Sequence, residues 1–278
     1  MAYENYQLLH IDLNHGVATA IVDAPPINLM TLPLFTEIAR FGGEVGDDES
    51  VRVVILKSAN PEFFIAHFDV EAILQFPIER PAERSATNAF HQMCERYRTM
   101  PKATIAQIEG RVGGGGCELI QAFDMRFGVV GQTILNQMEV PLGILPGGGG
   151  TQRLPRLIGR GRALEMILGG EDLDAETAER WGLLNRAFAP ADIEPFVEGL
   201  ARRIASFPGE AISLAKESVN AAALALDEGL KEEDYLFQRS IRSDAAQTRM
   251  RRFLEAGGQT RDGEIDVAGL VGRLGGDS

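Results

Sequence analysis

Gly110–Gln121 reads GRVGGGGCELIQ. Four consecutive glycines run into a cysteine, a glutamate and an apolar helical pattern. The residues just before it, ATIAQIEG at 103–110, form a β-branched apolar run of the kind that makes a buried strand. The whole reads as strand, tight turn and helix. Glycine lets the backbone take shapes a side chain forbids and lets another group come close. A glycine-rich turn that opens a helix often receives a phosphate on its unpaired peptide N–H groups. The phosphate grammar is missing here. A dinucleotide fingerprint needs glycines at i, i+2 and i+5, which neither GRVGGGGCEL nor PGGGGTQRL (146–154) provides. The dipeptide Gly-Lys that ends a P-loop does not occur, nor does the Gly-x-Ser-x-Gly elbow of serine hydrolases.

Outward from this stretch the first half alternates strand and helix signals. YQLLHIDLN and GVATAIVDA read as two strands joined at a His15–Gly16 turn, and Thr31 caps a helix running to the glycines at 42 and 43. VRVVILKS (51–58) reads as a buried strand. ERSATNAFHQMCERYRTM is an amphipathic helix ended by Pro101, and DMRFGVVG is a further strand. Strands separated by helices imply an α/β arrangement with parallel pairing. After about Thr177 the pattern is mostly helical, with Asp174 as an N-cap and helical runs at 190–206, 209–228 and 231–255.

The 278 residues are 45% hydrophobic, enough for a substantial core, and carry a net charge of −13. That acidity argues against a nucleic-acid or anionic-membrane surface protein, since both need an electropositive footprint. It leaves room for a small anionic ligand. Arg153, Arg156, Arg160 and Arg162 form one local basic run, which reads equally as a solvated helix face. Two cysteines, Cys94 and Cys117, imply no disulfide framework and fit a reducing compartment. No targeting signal or membrane-length apolar run is visible, so the expected location is the cytoplasm. Four scattered histidines give no metal-ligand pattern.

With phosphate set aside, the turn's remaining use is to stabilise one oxygen that becomes negative during a reaction. One such donor is worth roughly 3–4 kcal/mol of transition-state stabilisation. A hole of this kind wants a second donor, and FFIAHFDVEAIL (63–74) is a second irregular turn, with Asp69 near the start of a short helix. By themselves the two turns read equally well as ordinary strand-to-helix connections.

At these residues the chain resembles the enoyl-CoA hydratase/isomerase (crotonase) superfamily. FFIAHFDV is similar to that family's first oxyanion segment, and GGGCEL with the following AFDMRF to its second. MEVPLGILPGGGGTQRLPRLIGRGRALEMILGG, AETAERWGLLNRAF and the opening GVATAIVDAPPINLMT extend the resemblance over roughly residues 6 to 255.

The resemblance implies an α/β fold, a spiral of ββα units. It implies a crotonase-like core over 1–195, a helical C-terminal section over 196–258 serving oligomerisation and pocket closure, and a flexible tail over 259–278. The backbone N–H groups of Phe68 and Gly115 would be the oxyanion donors, facing the thioester oxygen of a coenzyme A ester. Ala66, His67, Asp69, Val70 and Gly114 would border the substrate. Glu118 would help activate water and Glu139 would supply a proton to the α-carbon, which makes the chain an enoyl-CoA hydratase. The alternatives on this scaffold are an isomerase, a thioester hydrolase or lyase, or an acyl-CoA binder without turnover.

No metal or redox cofactor is implied; coenzyme A enters as part of the substrate. The expected assembly is a homotrimer or hexamer, with neither nucleic acid nor membrane as partner. The chain departs from the family pattern at four places. His67 stands where glycine is usual, Met138 where proline is usual, and FLEAGGQTRD lacks the usual C-terminal lysine. Asp124 to Glu139 also carries one extra residue.

Overall fold

The structure is a computed structural model and describes residues 3–76, 87–224, 226–257, 259 and 267–274. It opens with the hairpin β1 (Leu9–Asn14) and β2 (Val17–Val22). His15 and Gly16, both at positive φ (47° and 76°), make its two-residue turn. Helix α1 (Leu32–Asp47) starts at Thr31, whose side chain accepts from the Leu34 N–H. It does not stop at Gly42 and Gly43. A Cβ on Gly42 would meet the Tyr97 ring at 3.0 Å, so this glycine admits a side chain from another helix instead of ending its own.

Three strand pairs then follow the same plan. They are β3 (Val53–Ser58) and β4 (Phe63–Ile65), then β5 (Ala103–Ile108) and β6 (Arg111–Gly113), then β7 (Met125–Val129) and β8 (Ile134–Asn136). Between them lie α2 (Val70–Ile73), α3 (Ala89–Thr99) and α4 (Gly114–Ile120). Asn88 caps α3, so the helix expected over 83–100 begins later; residues 77–86 lie outside the described residues. Each pair sends one strand to each of two sheets, which winds the chain as a spiral. After β8 come α5 (Gly150–Ile158), α6 (Arg160–Gly169), β9 (Leu173–Asp174), α7 (Ala175–Trp181) and β10 (Arg186–Phe188). The sheets run β1-β2-β3-β5-β7-β10 and β4-β6-β8-β9. All pairings are parallel except β1 with β2 and β8 with β9.

Strand alternation divides the core. Val54, Leu56, Ala106 and Ile108 face the layer between the sheets, packing with Phe64, Ile65, Val112 and Leu135. Val53, Ile55, Ala103 and Ile105 face the other way, against Ile193, Val197 and Ala201 of α8 (Ile193–Ala205). Helices α9 (Gly209–Ala221), α10 (Leu226–Ser240) and α11 (Asp244–Glu255) follow, so the helical runs expected at 209–228 and 231–255 are redivided by breaks near 222 and 241. The tail expected to be flexible over 259–278 contains, at Val267–Arg273, helix α12, whose Leu270 is buried. Residues 260–266 and 275–278 lie outside the described residues.

Lys216 fastens α9 to the spiral. Its ammonium donates to the carbonyls of Tyr97 (3.0 Å) and Lys102 (2.9 Å) and pairs with Asp124 at 2.8 Å. Burial lowers its pKa, opposed by Asp124. Removing one partner of such a buried pair strands the other. Lys216→Met is expected to cost about 3 kcal/mol, read as a lower urea midpoint at unchanged slope.

Candidate active site

The site forms where the second and third turns of the spiral meet the loop before α5. Strand β4 and the loop after it lie directly on the glycine turn. A Cβ on Gly113 would be 2.6 Å from the Ala66 carbonyl oxygen, one on Gly116 would be 2.8 Å from Ile65 Cγ2, and one on Gly115 would be 3.0 Å from Phe68 Cβ. The glycines therefore serve first to let two turns of the same chain touch. Phe68 N lies 3.6 Å from the point where a Gly115 Cβ would stand, so the two peptide groups are neighbours.

The orientation of Phe68 follows from its pairing. The Met30 N–H donates to the His67 carbonyl (2.9 Å), and the Asp69 N–H to the Met30 carbonyl (3.1 Å). In extended chain, successive peptide groups point to opposite sides. The Phe68 N–H therefore turns away from Met30. Gly115 sits in the first turn of α4, where N–H groups have no partner within the helix.

Two carboxyls lie beside these donors. Glu118 is 4% exposed, and its Oε1 accepts from the N–H groups of Gly148 and Gly150, each at 2.8 Å. Its second oxygen, Oε2, faces the bare side of Gly148, 2.7 Å from where a Cβ would stand. Burial pushes its pKa up, opposed by those two N–H groups and by Arg153. Glu139 is 8% exposed, and its Oε1 lies 3.3 Å from the Cβ position of Gly114. Burial, then the charge of Glu118, raises it from the ordinary 4.5 to about 7. Strand β8 runs in register with β6 from Ile134 to Asn136 and ends three residues before Glu139. Gln137, wholly buried, ties this segment to the glycine turn by donating to the Gly114 carbonyl at 3.1 Å.

On one flank a cleft of about 310 Å³ is lined by Ala66, His67, Gly113, Met138 and Arg111 among others. The His67 ring pairs its Nδ1 with the Phe68 carbonyl at 2.9 Å. A carbonyl can only accept, so Nδ1 carries a proton. On the other flank stand three phenylalanines. Phe35 stacks on Phe90 at 6.0 Å, and Phe68 meets Phe90 edge-on at 6.1 Å. The Phe90 ring reaches both Gly115 and Gly148. Asp69 uses its carboxylate to cap α2, accepting from the Glu71 N–H, and Val70 opens that helix on the exposed side.

The enoyl-CoA hydratase/isomerase family model matches residues 12–261, nearly the whole of this fold. The chain belongs to that family. Among the family's curated members, it is 32% identical to the crotonyl-CoA hydratase of Syntrophomonas wolfei, over 79% of this chain and 83% of that one. It is 29% identical to the short-chain-enoyl-CoA hydratase of Clostridium acetobutylicum, over 86% and 91%. The crystal structure of an enoyl-CoA hydratase from Bacillus anthracis superposes with a TM-score of 0.82 at 30% identity, covering 90% of this chain and 96% of that one.

The enoyl-CoA hydratase/isomerase fold thus gathers Ala66, His67, Phe68, Gly114, Gly115, Glu118 and Glu139 around one space. It also adds groups that sequence reasoning missed: the Gly148 and Gly150 amides, Gln137, Phe90 and Arg153. The glycine run at 147–150 contributes to the family resemblance, but nothing in its spacing announces a contact with Glu118. Residues 77–86, which follow α2, lie outside the described residues, as does part of FLEAGGQTRD.

Proposed function

We propose that this chain hydrates the double bond of a 2-enoyl-CoA thioester. The observation that carries the reading is the placing of two buried carboxyls beside two neighbouring main-chain N–H groups. In this reading the thioester oxygen sits between the N–H groups of Phe68 and Gly115, which stabilise the enolate charge that develops there. The coenzyme A arm lies along the cleft of Ala66, His67 and Gly113, and the acyl end meets Phe35, Phe68 and Phe90.

Glu118, ionised and gripped through Oε1, takes a proton from water through Oε2, and that water adds to the β-carbon. Glu139, kept protonated by burial and by Glu118, gives its proton to the α-carbon. Two neighbouring carboxyls divide the work because both cannot ionise readily at once. The product is a 3-hydroxyacyl-CoA. Both carboxyls favour hydration over double-bond isomerisation, for which one proton shuttle suffices.

The test follows the conjugated-thioester absorbance of short, medium and aryl 2-enoyl-CoA substrates. Loss of absorbance with gain of one water by mass is expected. Saturable binding without absorbance loss would move the assignment to an isomerase, a hydrolase or a binder. The pH dependence follows from the two carboxyls. kcat/KM is expected to rise from acid pH as Glu118 ionises, then fall through about 7 as Glu139 loses its proton. A rate still climbing two units above that limit would refute the acid role of Glu139.

The assembly proposed is a trimer or a pair of trimers. Support comes from exposed apolar side chains along the C-terminal helices, among them Val219, Leu230, Tyr235, Met250 and Leu254. Sedimentation velocity is expected to show three or six copies. The proposed location is the cytoplasm; among the described residues no helix is long and apolar enough to cross a membrane.

A further inference from the structure

Arg153 does not lie on a solvated face. Its side chain is 14% exposed and its guanidinium forks between two partners. Nη1 donates to the Gly148 carbonyl at 3.0 Å and Nη2 to Glu95 Oε1 at 2.8 Å. The other oxygen of Glu95 is held by Arg98 at 2.7 Å. Gly148 and Gly150 are the residues whose N–H groups hold Glu118. Between them Gly149, at φ +116°, takes a backbone shape that side-chain-bearing residues rarely adopt, and its bare side is covered by the Arg153 guanidinium. The Gly149 carbonyl accepts from the N–H groups of Gln152 and Arg153, at 2.9 and 2.8 Å.

Four glycines in succession are the loosest backbone a loop can have. Both N–H groups meet one carboxylate oxygen in only a narrow set of conformations. A planar fork clamped at its far end by a carboxylate is suited to selecting that set. We propose that Arg153, itself held by Glu95, is a positioning residue for the hydration reaction: it fixes the Gly148–Gly150 turn whose two N–H groups orient Glu118. The proposal rests on the reading of Glu118 as the carboxylate that activates water. Arg153 touches neither substrate nor water in this account; it acts through the turn, and its charge also favours the ionised form of Glu118. Lysine places all its donors on one nitrogen and so lacks the two separate arms with which the guanidinium meets the Gly148 carbonyl and Glu95.

The test measures kcat and KM on a short 2-enoyl-CoA for Arg153→Met, Arg153→Lys and Glu95→Gln, alone and combined with Glu118→Gln. Arg153→Met is expected to lower kcat about 10–100-fold with KM within about threefold, the size of effect that a misplaced reacting group produces. Arg153→Lys is expected to recover part of the loss. In the Glu118→Gln background, Arg153→Met is expected to change kcat by less than about twofold, because residues acting as a unit are not additive. An equal loss in both backgrounds, or a change in KM alone, overturns the proposal.

Hydrogen exchange at the Gly148 and Gly150 amides of ligand-free protein reads the positioning without turnover. Faster exchange there in Arg153→Met, with the rest of α5 unchanged, is expected; unchanged exchange overturns the proposal. Where Arg153→Met fails to fold, Arg153→Lys and Glu95→Gln carry the same comparisons. A wild-type protein that binds 2-enoyl-CoA without hydrating it would sink the reading of Glu118, and the exchange result would still judge Arg153.

Discussion

Glu118→Gln is expected to lower the hydration rate of a short 2-enoyl-CoA about 10²–10⁴-fold, the usual contribution of a general base. On the barrier that is about 3–5 kcal/mol. Glutamine has the same shape, and its carbonyl oxygen can accept the same two bonds from Gly148 and Gly150. The turn before α5 therefore keeps its grip, and affinity for a saturated acyl-CoA is expected to stay within about threefold of wild type. What changes is the outer atom, because an amide nitrogen cannot take a proton from water. A second readout is independent of turnover. The charge of Glu118 is one of the two causes that raise Glu139, so in Glu118→Gln the Glu139 carboxyl is expected to titrate below its wild-type value of about 7. Activity within about tenfold of wild type would show that another group serves as the base.

Gly115→Pro is expected to be of similar size for a different reason. Proline lacks the N–H, so one oxyanion donor disappears outright, at a cost of about 10²–10³ in kcat. Gly115 is the second residue of α4, in the first turn, where proline is tolerated by a helix. The added ring also brings bulk toward Phe68, and Gly115→Ala isolates that effect, because its Cβ would stand 3.0 Å from Phe68 Cβ while the N–H is kept. The difference in kcat between the proline and alanine variants, each checked for folding by circular dichroism, is the part due to the donor. Equal rates in the two would remove Gly115 from the oxyanion hole.

Some of this was legible in the chain before its fold was known, and the reason is local. The strands at 53–58, 103–108 and 125–129 announce themselves because both of their faces are buried. Thr31 and Asp174 announce helix starts because a cap bonds within its own turn. Local chemistry misleads where a residue answers to something distant. Gly42 resembles a helix stop, yet it makes room for Tyr97, whose hydroxyl then bonds to the Ile38 carbonyl at 2.7 Å. Arg153 belongs to a basic run, but its partners Glu95 and Gly148 come from a helix and a loop that only the spiral places around it. Glu118 and Glu139 could be named from their motifs, while the grip on Glu118 comes from a segment some thirty residues onward.

The pairing of Met30 with the chain around Phe68 has an evolutionary consequence. A donor that belongs to the main chain is inherited independently of the side chain it sits beneath, and only proline can delete it. Selection can therefore rewrite position 68 without losing the peptide N–H that this loop offers. Each carboxyl, in contrast, is one base change away from loss. On the proposed reading of the site, a descendant without Glu139 would forfeit one proton transfer and still keep both main-chain donors. Lineages built on such a loop would then be able to change their chemistry while retaining the donors that meet the substrate.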